Sequence, residues 1–285
     1  MATNNPTNVL LLRAPDDPAS SDKYLSAFAN SRWNAVCVPV LETTLVNLEE
    51  LSEILRNLVK GEIAEGRIDG VIITSARACE AWRAVVDGLI ASSSSPVPMQ
   101  VPIYVVGTAT RNALLQIYFA RSSSPYSPDP CLILGAEEAG NAEQLAQFIL
   151  RQQQLPKRLL YLTGDKNRDT LPTILSAHSI ALTPLQVYET RGSSAFKDDL
   201  KATVDSWPHG REEGWWTVFF APSSSSFVLP FLQSDPRVWE RRKVAAIGKT
   251  TDTHLREELG LAVHAVAKNP SPEGLIAALQ SAENS

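Results

Sequence analysis

Apolar residues along this chain follow two alternating rhythms. Short continuous runs read as strands buried on both faces: "NVLLLR" (8–13), "DGVIITS" (69–75), "IYVVG" (103–107), "CLILG" (131–135), "RLLYLTG" (158–164), "WWTVFFAP" (215–222), "KVAAIG" (243–248) and "LAVHAVA" (261–267). Between them lie stretches with helical spacing. In "NLEELSEILRNLVKGE" (47–62), Leu48, Leu51, Leu55, Leu58 and Val59 share one face, Asn47 can cap the start, and Glu50 holds the capping-box position. "SPEGLIAALQ" (271–280) opens with Ser271 as cap and Pro272 in the first turn. "NAVCVPVLET" (34–43) and "ALTPLQVYETR" (181–191) are extended. This alternation predicts an α/β fold of parallel sheets with helices on both faces. Two Ser-rich stretches, "SSSSP" (92–96) and "RSSSPYSPDP" (121–130), are expected to be exposed loops.

Several stretches occur twice. "GVIITSARACEAW" (70–82) corresponds to "TVFFAPSSSSFVL" (217–229), and "IYVVGTAT" (103–110) to "VAAIGKTT" (244–251). "RLLYLTGDKNRDTLPTIL" (158–175) has the shape of "NVLLLRAPDDPASSDKYL" (8–25), but this pair runs in the opposite order along the chain. If each domain takes one copy of each stretch, the chain starts in one domain, builds all of the other, and returns. Domain 1 is then residues 1–38 plus 191–285, and domain 2 is residues 44–184. The connections are two extended linkers, about 38–44 and 184–190, each with a Pro and the ending "ET". The expectation is two similar α/β domains joined by a two-stranded linker.

Composition narrows the function. The chain has 285 residues, 44% hydrophobic and 20% charged, enough for two ordinary cores. A net charge of -5 without a basic run argues against nucleic acid as partner, but leaves room for an anionic small ligand held locally. Cys37, Cys79 and Cys131 are scattered and odd in number, and His178, His209, His254 and His264 lack metal-ligand spacing. Neither a disulfide framework nor a zinc site is suggested. The four-residue apolar run before Arg13 is too short for a signal peptide, and no segment is long enough to span a membrane. A cytoplasmic protein, most simply a monomer, is expected.

The stretches "VPVLET", "VIITSARA", "VVGTAT", "LYLTGDKNRDTLP", "VYET", "VFFAPSSS", "AAIGKTT" and "AKNPSPEGLIAAL", in this order and spacing, resemble the uroporphyrinogen-III synthase family over almost the whole chain. One departure is "APSSSS" (221–226), which lacks the Gly of the family's Ser-Pro-Ser-Gly turn, so the local turn is expected to differ. The resemblance implies a site in a cleft between the two domains. It also implies a reaction without metal or organic cofactor: cyclisation of the linear tetrapyrrole hydroxymethylbilane, with loss of water and inversion of ring D through a spiro intermediate. That substrate carries eight carboxylates and supplies its own electronic push, so the protein's main task is orientation, worth about 7–11 kcal/mol in favourable cases.

Many N–H and hydroxyl donors are then needed. The turns at the carboxyl ends of the strands supply them: Thr74 and Ser75, Gly107 and Thr108, Gly164 and Asp165, Ser223 and Ser224, Gly248 and Thr250. Any one of these is equally an ordinary helix cap. Lys166, Arg168 and Lys249 lie just beyond the turns, as substrate contacts or as solvated surface charge, and Arg13 ends the first strand. Tyr188 sits in the second linker and matches the family's "VY-x-T" stretch. It is the candidate general acid for the departing hydroxyl, because a phenol is protonated at neutral pH; a packed linker tyrosine is the competing role. Two other functions compete. A nucleotide-dependent Rossmann enzyme is weakened by the lack of G-x-G-x-x-G or a P-loop Lys. A non-catalytic hinged clamp for an anionic ligand shares the double linker.

Overall fold

The computed structural model describes residues 7–16, 18–60, 67–89, 98–207, 214–240 and 242–284. Its strands are β1 (Thr7–Leu12), β2 (Trp33–Cys37), β3 (Leu41–Leu45), β4 (Gly70–Ile73), β5 (Ile103–Val105), β6 (Ile133–Leu134), β7 (Arg158–Thr163), β8 (Ala181–Gln186), β9 (Tyr188–Gly192), β10 (Trp215–Phe219), β11 (Arg242–Ala246) and β12 (Ala265–Val266). The helices are α1 (Lys23–Ala29), α2 (Leu48–Lys60), α3 (Ala76–Leu89), α4 (Gly107–Arg121), α5 (Ala142–Leu150), α6 (Thr170–Ala177), α7 (Phe196–Asp205), α8 (Pro222–Ser234), α9 (Pro236–Trp239), α10 (Lys249–Thr253) and α11 (Pro272–Glu283).

The chain divides into two compact units, Met1–Glu42 with Arg191–Ser285, and Thr43–Thr190. The first holds a five-stranded sheet of order β12-β11-β10-β1-β2, the second one of order β6-β5-β4-β7-β8. Every pairing in both is parallel. The duplicated stretches occupy equivalent places: β10 and β4 in the middle, β11 and β5 on one side of them, β1 and β7 on the other. β1 therefore pairs with β10, more than 200 residues away, in register Val9↔Trp216 to Leu12↔Phe219. The strands β3 and β9 form a separate two-stranded sheet where the chain passes from one unit to the other.

Burial on both faces explains the continuous apolar runs. In β1, Leu10 and Leu12 enter one core while Val9 and Leu11 enter the opposite one. In β4, Val71 and Ile73 point one way and Ile72 the other, and β7 does the same with Leu160 and Leu162 against Leu159 and Tyr161. The period-2 geometry of a strand requires this division.

One helix start follows its reading and another departs from it. Ser271 caps α11, accepting from the Gly274 N–H, with Pro272 in the first turn. Asn47 does not follow its reading as a side-chain cap. It adopts a left-handed conformation (φ 53°), and its amide donates to the Gln186 carbonyl, 2.9 Å away, tying the start of α2 to the end of β8. The segment 121–130 is a second correction. Residues 124–128 are buried, because Tyr126 packs into the core beside Trp82, whose indole N–H donates to the Tyr126 carbonyl. The other Ser-rich stretch, 92–96, lies outside the described residues.

Candidate functional site

In the unit Thr43–Thr190, the carboxyl ends of β4 and β7 and the first residue of β9 converge. Ser75 follows β4 and caps α3: its Oγ accepts the Ala78 N–H at 3.2 Å. The Ser75 hydroxyl then donates to the Tyr188 Oη, 3.3 Å away. With its lone pairs addressed by Ser75, the phenol has its own hydrogen left to give. Chains aligned head to tail polarise one another, so Ala78 N–H, Ser75 and Tyr188 form a relay that strengthens the last donor.

The ring of Tyr188 lies flat against the turn after β7. A Cβ on Gly164 would fall 2.4 Å from the Tyr188 Cε2 and 2.8 Å from its Oη. Only a residue without a side chain admits the phenol so close to the backbone. The same turn is tied across to β9, where the Thr190 N–H donates to Asp165 Oδ1 at 3.2 Å, and closed by the Asn167 amide on the Gly164 carbonyl. Beneath lies Tyr161, whose phenol burial pushes up, with a side-chain hydrogen bond to Thr74 pulling the other way. The geometry thus brings together five of the residues singled out in the sequence: Thr74, Ser75, Gly164, Asp165 and Tyr188.

Arg77 was missed. It stands exposed in the first turn of α3, its guanidinium 5.8 Å from the centre of the Tyr188 ring and its Nη1 donating to the Thr190 Oγ1 at 3.5 Å. The signal was its place two residues after Ser75, on the turn of a helix opening at a sheet edge. Lys166 and Arg168 are also exposed on this edge, and neither has a partner among the described residues. At β5, Gly107 is left-handed (φ 73°) and its N–H is engaged with the Ala139 carbonyl, whereas Thr108 is exposed. The helix α4 that follows has no side-chain cap.

The equivalent edge of the other unit lies at β10 and β11. The turn "APSSSS" places Ala221 in extended backbone before α8, again without a side-chain cap. Ser223 is exposed. Ser224 is buried and, like Ser225, turns its hydroxyl back to the Ala221 carbonyl, at 3.0 Å. After β11, Gly248 is extended in open surroundings, and Lys249 and Thr250 are exposed.

Arg13 leaves β1 on the same edge but is already paired. Its guanidinium donates to Asp22 at 2.6 Å and to Asp16 at 2.8 Å, over the Tyr24 ring. The Asp22 carboxylate is fully buried and caps α1 by accepting from the Tyr24 and Leu25 N–H groups. Burial alone would raise its pKa; the backbone N–H groups of Leu25 and Asp16 and the Arg13 guanidinium overcome that and hold it down at about 2.

Burial pushes Cys37 up to about 11 and Cys79 up to about 12, while Cys131 is exposed. A short iodoacetamide treatment of the native protein at pH 8 is expected to modify Cys131 alone, because the reactive species is the thiolate. Peptide mapping by mass spectrometry checks this; prompt labelling of Cys79 would contradict it. Among the described residues no group of three or more His, Cys, Asp or Glu could hold a metal ion, and no helix is long and apolar enough to cross a membrane.

Comparison with known proteins agrees with the motif reading. The sequence profile of the family described as uroporphyrinogen-III synthase HemD matches residues 22–277. The uroporphyrinogen-III synthase of Saccharomyces cerevisiae is 25% identical, covering 98% of both chains. That of Schizosaccharomyces pombe is 26% identical, covering 95% of both. The crystal structure of the Helicobacter pylori enzyme aligns with a TM-score of 0.44 at 17% identity, covering 97% of this chain and 99% of that one.

Proposed function

The chain belongs to the uroporphyrinogen-III synthase family, and from that premise we propose how its residues act. The reaction is that of a cyclising lyase of heme biosynthesis: hydroxymethylbilane closes to uroporphyrinogen III with loss of water and inversion of ring D. The substrate's pyrrole nitrogen expels the hydroxyl, leaving an azafulvene cation. The substituted α carbon of ring D attacks it to give a spiro intermediate, which opens by breaking the bridge between rings C and D and recloses at the free α carbon on the other side of the ring D nitrogen.

Tyr188 supplies the proton with which the hydroxyl leaves as water. The observation that carries this reading is the relay Ala78 N–H, Ser75, Tyr188, which frees the phenolic hydrogen for an incoming oxygen. The phenolate so formed is balanced when ring D loses its proton at the closing carbon, which returns Tyr188 to its starting state. Arg77 holds the ring of Tyr188 and, with the exposed Lys166 and Arg168, meets carboxylates of the substrate. Thr108 and the uncapped start of α4, Ser223 and the uncapped start of α8, and Gly248, Lys249 and Thr250 supply further donors. Incubation with hydroxymethylbilane generated in place, followed by separation of the product isomers, tests the function.

The tight contact behind Tyr188 gives a sharper test of its role. Gly164→Ala inserts a methyl where the ring stands, so the ring must swing out while the strand remains intact. Turnover is expected to fall roughly tenfold or more with melting temperature little changed, because small misplacements of a reacting group are costly. Normal turnover in Gly164→Ala would show that the position of the phenol does not matter.

A further inference from the structure

Among the described residues, His254 is a histidine near a donor-bearing edge that the reaction as described does not use. It lies where the short helix α10 widens into a π-helical turn, His254–Glu258, and its side chain is only 12% exposed. Its Nε2 is 2.9 Å from the Oγ of Ser226 on α8, and its Nδ1 is 3.1 Å from Glu258 Oε2. In the neutral ring, Nδ1 carries the hydrogen toward the carboxylate, which can only accept, and Nε2 accepts from the Ser226 hydroxyl.

The order Ser, His, carboxylate resembles that of a nucleophilic triad. The surroundings rule that role out. Ser226 lies within α8, past its first turn, where backbone N–H groups are taken up in the helix and none is left to stabilise an oxyanion. The geometry serves a different purpose. β10 and β11 are adjacent and in register, Phe219↔Ala246, so α8 and α10 start side by side. Apolar packing of Val228, Leu229 and Leu255 joins the two segments below, but few polar contacts fasten these starts. α8 has no side-chain cap, α10 is five residues long, and Gly248 stands in open surroundings. Among the described residues, Ser226–His254 is the side-chain hydrogen bond joining α8 to the α10 segment. π turns cost helix stability and are mostly kept at functional sites; here the widened turn brings His254 to α8.

We infer that His254 is a positioning residue that clamps the start of α8 to the α10 segment, holding Ser223 at a fixed spacing from Lys249 and Thr250 for the polycarboxylate substrate. The inference rests on the functional reading above, which assigns those residues to substrate binding. His254→Ala is expected to raise KM for hydroxymethylbilane about three- to tenfold, the factor carried by one neutral hydrogen bond, with kcat unchanged. Ser226→Ala should match it, and the double variant should add nothing further, as for two ends of one contact. His254→Gln, whose Oε1 can accept the same hydrogen, should recover most of the loss.

Anaerobic binding of uroporphyrinogen III, followed by tryptophan fluorescence, should weaken by the same factor in His254→Ala. A KM and product affinity within twofold of wild type, a loss of kcat at unchanged KM, or fully additive single variants would overturn the inference. The binding arm separates two failures. Wild-type protein that binds product without turning over substrate would refute the reaction and leave the clamp to be read from affinity; wild-type protein that does neither would refute both.

Discussion

Tyr188→Phe should slow formation of uroporphyrinogen III by roughly 10²-fold while leaving the protein folded. General acid assistance is typically worth 10²–10⁴-fold, and the low end applies because this substrate ionises readily. The ring stays packed against Gly164 and the core of its unit in the variant, so melting temperature should hardly move. Only the last link of the relay from Ala78 through Ser75 is removed. Ser75→Ala breaks the preceding link and should cost less, since the phenol keeps its proton and loses only polarisation. Steady-state turnover with both variants checks the order of effects. Near-normal turnover of Tyr188→Phe would end the acid role and leave catalysis to substrate folding alone. Unfolding of that variant would show the tyrosine to be a packing residue.

Asp22→Ala is expected to destabilise the fold by about 3–5 kcal/mol, because it strips a buried partner from Arg13 and a cap from α1 together. Of its two carboxylate partners, Arg13 would keep only Asp16, which is 44% exposed. A loss of that size lowers Tm by about 10 °C in a chain of this length. The pH dependence has a definite sign. The carboxyl is held at about 2 in the fold against an ordinary value of 3.8. A depressed acid contributes its stability above the unfolded value and loses it as pH falls through the folded one. Wild type should therefore lose its advantage over Asp22→Asn between about pH 4 and pH 2. Thermal melts across that range test it; a Tm shift under 3 °C at pH 7 would contradict it. Arg13→Met should likewise lower Tm with KM nearly unchanged, whereas a large KM effect would return Arg13 to substrate binding.

The parallel sheets were legible because a strand buried on both faces writes an unbroken apolar run, as Val9 to Leu12 and Val71 to Ile73 do. Capping was legible where the side chain has one local partner, as at Ser271. It misled at Asn47, where the nearer choice lost to a carbonyl 139 residues away. The buried segment 124–128 was hidden for a related reason: its Ser and Pro residues read as loop, and Tyr126 alone pointed to the Trp82 core. In the candidate site, sequence could name the turns but not the direction of each hydroxyl. Ser75 faces Tyr188 and Ser224 faces its own backbone, although both follow a strand of the same repeat. Arg77 went unseen because an arginine in a first helical turn normally faces water. Only the fold places the Tyr188 ring beside it, from a strand more than 100 residues later.

Isomer composition of the product tests the central claim most directly. Hydroxymethylbilane cyclises unaided to the uninverted type I isomer, so background and enzymatic products differ in the orientation of ring D. With hydroxymethylbilane generated in place and this protein added, the oxidised products should separate as predominantly the type III isomer, in an amount that grows with protein concentration. Tyr188→Phe at equal concentration should shift the mixture back toward type I. Type I alone, at the rate seen without protein, would contradict the account.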